Sequence, residues 1–248
     1  MRIAEHFYSL QGEGATMGVP AVFLRLSGCN LLCGGQGTIE DGQLHDGATW
    51  RCDTIEVWAG RGQKMTPSEI VELFSREGYL RRLAQGAHLV ITGGEPLQQH
   101  EEIVSLICEL TEALHDRPFV EIETNGTLIP SVILLALVNQ WNVSPKLSSS
   151  GMPAERRINQ DALRVLACAD NAWCKVVISC EDDLKELDDG LTDPTRNFFS
   201  RQILLMPAAS DREALRKLLP IVAEHCKEKG YRLSSRMQVE IWDKTTGV

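Results

Sequence analysis

The stretch AVFLRLSGCN, residues 21–30, joins an apolar run to a polar turn that contains glycine and cysteine. A short apolar run that ends at such a turn predicts a buried strand. The pattern recurs in AHLVITGGEP (87–96), and polar motifs also follow FVEIE (119–123) and WNVS (141–144). The carboxyl ends of parallel strands meet at one edge of a sheet. We therefore expect the four motifs to line a single mouth.

Amphipathic helical patterns separate the predicted strands. The segment 66–78 begins with Thr66 as N-cap and Glu69 three residues later, which is the pattern of a capping box. Helical spacing of apolar residues also marks 100–115 and 210–230, where Pro220 is expected to kink or divide the helix. This alternation predicts a single α/β domain over residues 1–248, with a parallel sheet and helices outside. Further strands are predicted at 175–179, 201–206 and 236–242 (RMQVEIW).

Composition narrows the class of protein. The 248 residues carry a net charge of −9, and an acidic surface repels phosphate backbones, so nucleic acid is not an expected partner. No apolar run is long enough to span a membrane, and the first residues lack the features of a signal peptide. The eight cysteines are therefore expected to be reduced thiols in a cytoplasmic protein.

Three of the cysteines lie in one polar, glycine-rich segment directly after the first predicted strand: Cys29, Cys33 and Cys52. Three thiolates without a fourth suit a [4Fe-4S] cluster with one open iron, which S-adenosylmethionine can chelate. Two alternatives remain at this point. One is a zinc site with His45 as the fourth ligand, and the other is a set of buried thiols that bind nothing.

The motif TGGEP, residues 92–96, supports the cluster interpretation. Its glycines let a ligand approach the backbone closely, and Glu95 is suited to accept a hydrogen bond from an ammonium group. The remaining cysteines lack polar surroundings of this kind and are interpreted as structural thiols, namely Cys108, Cys168, Cys174, Cys180 and Cys226.

The chain resembles the 7-carboxy-7-deazaguanine synthase family of radical S-adenosylmethionine enzymes. The resemblance runs from residue 5 to the C-terminus and is most specific in QGEG (11–14) and RLSGCN (25–30). TGGEP (92–96) is shared with other radical enzymes. The other matching motifs are FYSL (7–10), CDT (52–54), ETNGT (123–127), SPK (144–146) and the final RMQVEIW (236–242).

The resemblance implies an incomplete (β/α) barrel of the radical S-adenosylmethionine type that forms a homodimer. The implied activity is that of a lyase of queuosine biosynthesis, which contracts 6-carboxy-5,6,7,8-tetrahydropterin to 7-carboxy-7-deazaguanine and releases ammonia. The implied cofactors are a [4Fe-4S] cluster, S-adenosylmethionine and Mg²⁺. An electron donor such as flavodoxin or ferredoxin is implied as a partner.

The resemblance also implies a role for individual residues, none of them catalytic beyond positioning the cofactors. Cys29, Cys33 and Cys52 would hold the cluster, and the Thr54 hydroxyl would bind Mg²⁺. The pterin would contact Leu10, Gln11, Gly12, Glu13, Arg25, Thr92 and Val248, with Arg25 suited to its carboxylate. S-adenosylmethionine would contact Arg51, Gly94, Glu95, Ser144, Pro145, Lys146, Met206, Pro207, Ala208 and Ala209. Purely structural roles remain as alternatives for three of these residues: an ordinary ion pair for Arg25, a surface charge for Lys146 and a helix cap for Thr54.

The cysteine segment departs from the family. The usual pattern is C-x3-C-x2-C with an aromatic residue before the third cysteine, whereas residues 34–51 separate Cys33 from Cys52 and Arg51 precedes Cys52. The glycine-rich insert, residues 34–49, is expected to be a solvent-exposed loop with at most a short turn. Two competing functions remain: an activase that generates a glycyl radical on a partner protein, and a zinc-stabilised module without enzymatic activity.

Overall fold

The structure, a computed structural model, describes residues 1–60, 62–188 and 193–245. These residues form one nine-stranded sheet flanked by helices. The strands are β1 (Arg2–Leu10), β2 (Pro20–Leu26), β3 (Gln63–Lys64), β4 (His88–Gly93), β5 (Val120–Thr124), β6 (Gln140–Val143), β7 (Ala172–Ile178), β8 (Ile203–Pro207) and β9 (Arg232–Leu233). The helices are α1 (Thr38–Asp41), α2 (Ile55–Trp58), α3 (Pro67–Arg76), α4 (Tyr79–Ala84), α5 (His100–Leu114), α6 (Val132–Leu137), α7 (Ala154–Arg157), α8 (Gln160–Ala167), α9 (Glu181–Asp188), α10 (Arg212–Lys229) and α11 (Met237–Trp242).

The strand order is β3-β1-β2-β4-β5-β6-β7-β8-β9, so β3 and β9 lie at opposite edges and the sheet is not closed. This confirms the expected incomplete barrel. From β2 to β9 every neighbouring pair is parallel. The predicted parallel sheet is confirmed for these strands, and the antiparallel β1, which pairs with both β2 and β3, adds to it near one edge. A short connection between β1 and β2 permits this hairpin-like pairing.

The core lies between the sheet and the helices. Leu24, Leu89 and Ile91 are fully buried on the central strands and belong to one cluster with Phe74 of α3 and Ile103 of α5. The predicted capping box of α3 is confirmed, since the Thr66 amide donates to Glu69 (2.7 Å) and the Glu69 amide donates to Thr66 (3.2 Å). These helices bury their apolar faces against the strands that carry the site, which fixes the strand ends.

One element prediction was wrong, and for Pro220 one of the two expected outcomes did not occur. RMQVEIW, predicted as a strand, forms α11, and of its alternating apolar residues only Val239 is buried while Ile241 is 44% exposed. In so short a stretch, periodicity does not separate a strand from a helix. Pro220 does not divide its helix, since α10 continues through it and buries Leu215 and Val222 on either side. Packing on both sides offsets the hydrogen bond that the proline removes.

The inner face of the sheet is polar. Glu121 and Glu123 lie two residues apart on β5 and therefore share a face. Glu121, which is 0% exposed, accepts hydrogen bonds from Thr16 (2.9 Å) and Asn142 (2.9 Å) and pairs with His88 (2.5 Å). Gln140 also donates to Glu121. We call Glu121 and these four partners the lower network, because it lies near the amino ends of β4 and β5.

Within the described part of the chain, no helix has the length and apolar character needed to cross a membrane.

Candidate active site

The structure brings together the three cysteines of the predicted cluster site. Cys29, Cys33 and Cys52 belong to one apolar cluster with Leu31 and Met152, and Trp50 packs against the same group. The Cys52 amide donates to the Cys33 carbonyl oxygen (3.2 Å), so the two cysteines are spatial neighbours despite the insert between them. The length of the insert is therefore compatible with a shared cluster.

The thiols are surrounded by hydrogen-bond donors. The Leu31 amide donates to Cys29 Sγ (3.4 Å), and the Trp58 indole donates to Cys52 Sγ (3.3 Å). Burial raises the pKa of Cys29 to about 11 and the pKa of Cys33 to about 12. Such thiols stay protonated unless a ligand stabilises the thiolate, and ligation to iron provides that stabilisation. The donors and the apolar shell fit an iron–sulfur cluster.

The zinc alternative lacks a fourth ligand. His45 Nε2 bonds to Asp41 (2.9 Å) at the surface of the insert instead of approaching the thiols. Among residues 1–60, 62–188 and 193–245, no three His, Cys, Asp or Glu side chains converge as the ligands of one metal ion. A [4Fe-4S] cluster needs no such convergence, because each cysteine binds a different iron.

The Gly93-Gly94-Glu95 turn lies against the cysteine segment. The Gly94 amide donates to Leu26 O (3.2 Å) and the Glu95 amide donates to Gly28 O (2.9 Å). A Cβ atom at Gly94 would lie 2.1 Å from Gly28 O, so only glycine fits there. This close contact places the backbone of the turn beside Cys29.

The Glu95 carboxylate is fully buried and bound within the turn. It accepts hydrogen bonds from the Leu97 amide (2.9 Å), the Thr124 hydroxyl (2.8 Å) and the Asn125 amide (2.7 Å). Burial raises its pKa, an effect that these donors oppose. In this structure the carboxylate therefore holds the turn together, and contact with S-adenosylmethionine stays a prediction.

The Ser144-Pro145-Lys146 motif lies beside the same group. Lys146 Nζ donates to Ser144 Oγ (2.9 Å) and lies 5.8 Å from the centre of the Trp50 ring. The Trp50 indole donates to Ser149 Oγ (3.2 Å). Lys146 is partly buried, and its charge lowers the pKa of both Cys29 and Cys33 against the larger effect of burial, while its contact with S-adenosylmethionine stays a prediction.

Glu13 lies at the centre of a charged network that we call the mouth network: Glu13, Lys175, Arg236 and Gln238. Its carboxylate accepts from Lys175 Nζ (2.6 Å), Arg236 Nε (2.9 Å) and Gln238 Nε2 (2.7 Å). Burial opposes ionisation of Glu13, yet the two cations hold its pKa well below the usual 4.5. Glu13 is therefore a partly buried, ionised acceptor, which suits a ligand with N–H groups.

The other predicted pterin residues line the same interior. Gln11 Nε2 donates to Glu123 (3.2 Å), and the Thr92 hydroxyl donates to the other oxygen of Glu123 (2.8 Å). Arg25 lies beside Thr92 in the β2–β4 register and pairs with Glu5 through Nε (2.7 Å). The ion-pair alternative for Arg25 is thus present in the structure, and its contact with substrate stays a prediction.

The backbone at Leu10 and Gly12 is held against the C-terminal helix. Leu10 ends β1, and Gly12 O accepts from the Met237 amide (2.9 Å). A Cβ atom at Gly12 would lie 2.1 Å from Gln238 Oε1. The predicted contact of Val248 lies outside the described residues.

Thr54 and Arg51, on either side of Cys52, have different surroundings. Thr54 occupies the N-cap position of α2, but its hydroxyl makes no capping hydrogen bond and lies 3.5 Å from Cys52 Sγ. That hydroxyl is available to a cation. Arg51 instead binds the Thr38 hydroxyl (3.0 Å) and Glu56 (2.5 Å), which ties the insert to α2.

The segment Met206–Ala209, predicted to contact S-adenosylmethionine, comprises the last two residues of β8 and the two residues after it. The Ala208 amide donates to Ile178 O (2.7 Å), and Ala209 O accepts from Arg236 Nη1 (2.5 Å). The segment therefore reaches the mouth network through Arg236.

The insert folds back on the chain after Lys146. The Gly34 amide donates to Ser150 O (2.9 Å), and the Thr49 amide donates to Ser149 O (2.9 Å). Its only regular element is α1, which agrees with the expected short turn. Thr38 differs from the expectation of full exposure, since it is 0% exposed under Arg51.

Sequence reasoning missed Glu123, Lys175 and Arg236. Lys175 and Glu13 are 162 residues apart, and Arg236 and Glu13 are 223 apart, so no local pattern links them. One signal was present: a lysine inside the apolar strand β7 is rarely buried without a partner. The other cysteines remain free thiols apart from the site, as expected, with Cys174 fully buried and Cys108 and Cys168 exposed.

Comparison with known proteins identifies related sequences. The chain is 31% identical over 249 residues to 7-carboxy-7-deazaguanine synthase of Pyrobaculum aerophilum, a match that covers 100% of the chain and 97% of that protein. The enzyme of the same name from Halobacterium salinarum is 31% identical over 97% of the chain and 90% of its own length. The one from Escherichia coli is 29% identical, with 94% of both chains covered. No protein-family model matches the chain.

Two solved structures are similar. The crystal structure of QueE from Escherichia coli superposes with a TM-score of 0.62 at 25% identity and covers 95% of the chain and 93% of its own. The structure of SuiB from Streptococcus suis, bound to S-adenosylmethionine, superposes with a TM-score of 0.50 at 16% identity. It covers 76% of the chain and 48% of its own, and it supports the fold alone.

Proposed function

The chain belongs to the 7-carboxy-7-deazaguanine synthase family, and from this premise we propose which residues perform its chemistry. It is a radical S-adenosylmethionine lyase that contracts 6-carboxy-5,6,7,8-tetrahydropterin to 7-carboxy-7-deazaguanine with release of ammonia, in the queuosine precursor pathway. The observation that supports the residue assignment is that Arg236 bonds both to Glu13 and to Asp53, the neighbour of the cluster cysteine Cys52.

Cys29, Cys33 and Cys52 hold the [4Fe-4S] cluster. Bound there, the cluster and S-adenosylmethionine supply the radical chemistry of the ring contraction. The backbone at Gly94 and the side chain of Lys146, both beside the thiols, position S-adenosylmethionine. We also assign to the S-adenosylmethionine site the following residues: Arg51, Glu95, Ser144, Pro145, Met206, Pro207, Ala208 and Ala209.

The pterin lies against the mouth network. The Glu13 carboxylate accepts from the N–H groups of the pterin ring, and Gln11 is oriented for the same ring by Glu123. Arg25 pairs with the pterin carboxylate, and the register places Thr92 next to it. Leu10 and Gly12 complete the pocket in this proposal, and Val248 is assigned to the pterin from the resemblance alone.

Thr54 would hold Mg²⁺ through its hydroxyl oxygen, a hard ligand of the kind that this ion prefers. Thr54→Val keeps the shape of the side chain and removes the oxygen, so stimulation of turnover by magnesium should disappear. Thr54→Ser restores the oxygen and should restore the stimulation. Magnesium dependence that survives in Thr54→Val would remove Thr54 from the metal site.

We also propose a homodimer, a flavodoxin- or ferredoxin-type electron donor and a cytoplasmic location. An apolar surface around α6, where Val132 is 82% exposed and Ile133 62% exposed, supports burial against another chain. Eight free cysteines support a reducing compartment.

The decisive experiment is anaerobic reconstitution with iron and sulfide, followed by incubation with the carboxytetrahydropterin, S-adenosylmethionine, Mg²⁺ and a reductant. Formation of 7-carboxy-7-deazaguanine is expected. Cys33→Ala should lose both iron and turnover, while Cys180→Ala serves as the matched control and should keep both. A Cys33→Ala protein with full iron content would overturn the ligand assignment.

A further inference from the structure

Arg236 contacts three separate parts of the proposed site. At the N-cap position of α11, its Nε bonds to Glu13 (2.9 Å), its Nη2 pairs with Asp53 and its Nη1 donates to Ala209 O (2.5 Å). The side chain is 13% exposed. One planar guanidinium therefore uses all of its nitrogens on three chain segments that are far apart in sequence.

Each partner of Arg236 belongs to a different proposed binding site. Glu13 is assigned to the pterin, and Ala209 belongs to the segment assigned to S-adenosylmethionine. Asp53 stands between Cys52, a cluster ligand, and Thr54, the proposed magnesium ligand. Asp53 is half exposed, and Arg236 is its ion-pair partner among the described residues. The position of the Cys52–Thr54 segment is thus tied to the position of Glu13 through one side chain.

We propose that Arg236 is a positioning residue that couples pterin binding at Glu13 to magnesium binding at Thr54; the inference rests on the proposed function. When the pterin binds Glu13, the positions of the Glu13 carboxylate and the Arg236 guanidinium are fixed together. The guanidinium in turn fixes the position of Asp53 and of its neighbour Thr54. By linkage, magnesium at Thr54 then strengthens pterin binding by the same factor as the pterin strengthens magnesium binding.

The planar guanidinium of Arg236 is required for this coupling. A guanidinium holds several acceptors at fixed mutual angles, whereas a lysine ammonium is a single point charge on a flexible chain. Arg236→Lys keeps the charge next to Glu13 and removes the rigid connection to Asp53 and Ala209. Coupling should therefore be lost even where charge balance is kept.

A plain anchoring role for α11 is the competing explanation, and the chain offers a matched control for it. Arg212 holds the same helix from its outer side, donating through Nε to Glu240 O (2.9 Å) and through Nη2 to Ile241 O (2.6 Å). Arg212 touches neither Glu13 nor Asp53 in these bonds. Arg212→Lys loosens the helix without cutting the link between the two binding sites.

The test measures the dissociation constant of the carboxytetrahydropterin by anaerobic calorimetry, with and without Mg²⁺. The protein is the full chain with its cluster and S-adenosylmethionine and without reductant, so no turnover occurs. Magnesium should tighten pterin binding in the native protein by about tenfold, a usual size for coupled sites. In Arg236→Lys the ratio should fall to about twofold or less, while Arg212→Lys should keep the native ratio.

Arg236→Lys with full iron content and an undiminished magnesium ratio would overturn the inference. If that variant does not load its cluster, Asp53→Ala decides, because it removes the acceptor of Arg236 Nη2 and leaves the Glu13 contact intact. Loss of coupling in Asp53→Ala supports the inference, and native coupling in Asp53→Ala overturns it. A native protein that fails to bind the pterin at all overturns the proposed function, which separates the two failures.

Discussion

Glu121 is a fully buried carboxylate and Glu13 is a partly buried one, and their surroundings differ in kind. In the lower network, Glu121 accepts from Thr16, Gln140 and Asn142 and pairs with His88. Two of these partners lie on β6, the strand next to β5. In the mouth network, Glu13 is bound by Lys175 of β7 and by Arg236 and Gln238 of the C-terminal segment.

The difference separates a structural polar network from a binding one. Buried ion pairs are weak contributors to stability, because desolvation of the charges offsets their attraction. A network of largely neutral donors around one carboxylate satisfies buried groups at lower cost. The lower network therefore fills the interior, whereas the mouth network keeps a charge in place where loops from distant segments meet. The two networks should respond differently to the same Glu→Gln change.

The largest expected effect is on activity. Glu13→Gln removes the ionised acceptor and leaves Lys175 and Arg236 without their shared counter-charge. We expect kcat/KM for the carboxytetrahydropterin to fall by roughly a hundredfold or more, the cost of truncating one partner of a buried charge pair. Steady-state kinetics at equal iron content measures it. A change of less than about threefold would contradict the assignment of Glu13 to the pterin.

The same substitution in the lower network should act on stability instead. Glu121→Gln keeps one acceptor oxygen but removes the charge, so the buried donors around it lose their ionised acceptor. We expect the free energy of unfolding to fall by about 3 kcal/mol, with kcat/KM close to native in the folded protein. Urea unfolding measures the loss, and Glu112→Gln on the exposed surface of α5 is the control. A kinetic defect equal to that of Glu13→Gln would erase the distinction between the networks.

Acidic pH should reduce the contribution that Glu13 of the mouth network makes to the stability of the fold. The folded-state pKa of Glu13 is held below the ordinary value of 4.5. Its contribution to stability is therefore complete above pH 4.5 and is lost as the pH falls through the folded-state pKa. The difference in unfolding free energy between the native protein and Glu13→Gln should stay constant from about pH 7 to pH 5 and shrink below pH 4.5. Denaturant titrations across this range measure it, and a difference that changes above pH 5 would point to another group.

The smallest expected effect concerns a single donor of the lower network. Thr16→Val removes the hydroxyl that donates to Glu121 (2.9 Å) and keeps the shape of the side chain. The other donors to Glu121 remain, so the loss should be about 1 kcal/mol of unfolding free energy, with unchanged kinetics. Thermal unfolding is sensitive enough, since about 1 kcal/mol shifts Tm by roughly 2–4 °C in a chain of this size. A loss as large as that of Glu121→Gln would show that Thr16 organises the network.

The sequence predicts the mouth well because its polar motifs directly follow apolar strands. Thr92, Asn125 and Ser144 each lie at or just beyond a strand end, where the parallel topology brings them together. The capping box of α3 could also be predicted from the sequence, since Thr66 and Glu69 are three residues apart.

What escaped prediction depends on contacts across the fold. β1 was missed because its residues are mostly half buried, which obscures the alternation of buried and exposed residues. Arg236 read as the start of a strand, and only its partners Glu13 and Asp53 show it to be the N-cap residue of a helix. Arg51, assigned to the cofactor by position, binds Thr38 and Glu56 because the insert supplies those partners. No local pattern carries such information.

The hydrogen bond from the Cys52 amide to the Cys33 carbonyl has a practical consequence for engineering. This bond joins the two ends of the insert, so the relative positions of the cluster-binding residues Cys33 and Cys52 do not depend on the length of the loop between them. Foreign sequence could be accommodated at Gly42, where no atom lies within 4 Å of an added Cβ. A peptide tag or a fluorescent label there would report on the protein while leaving the base of the loop closed, and loop-closure entropy would make its length a minor cost.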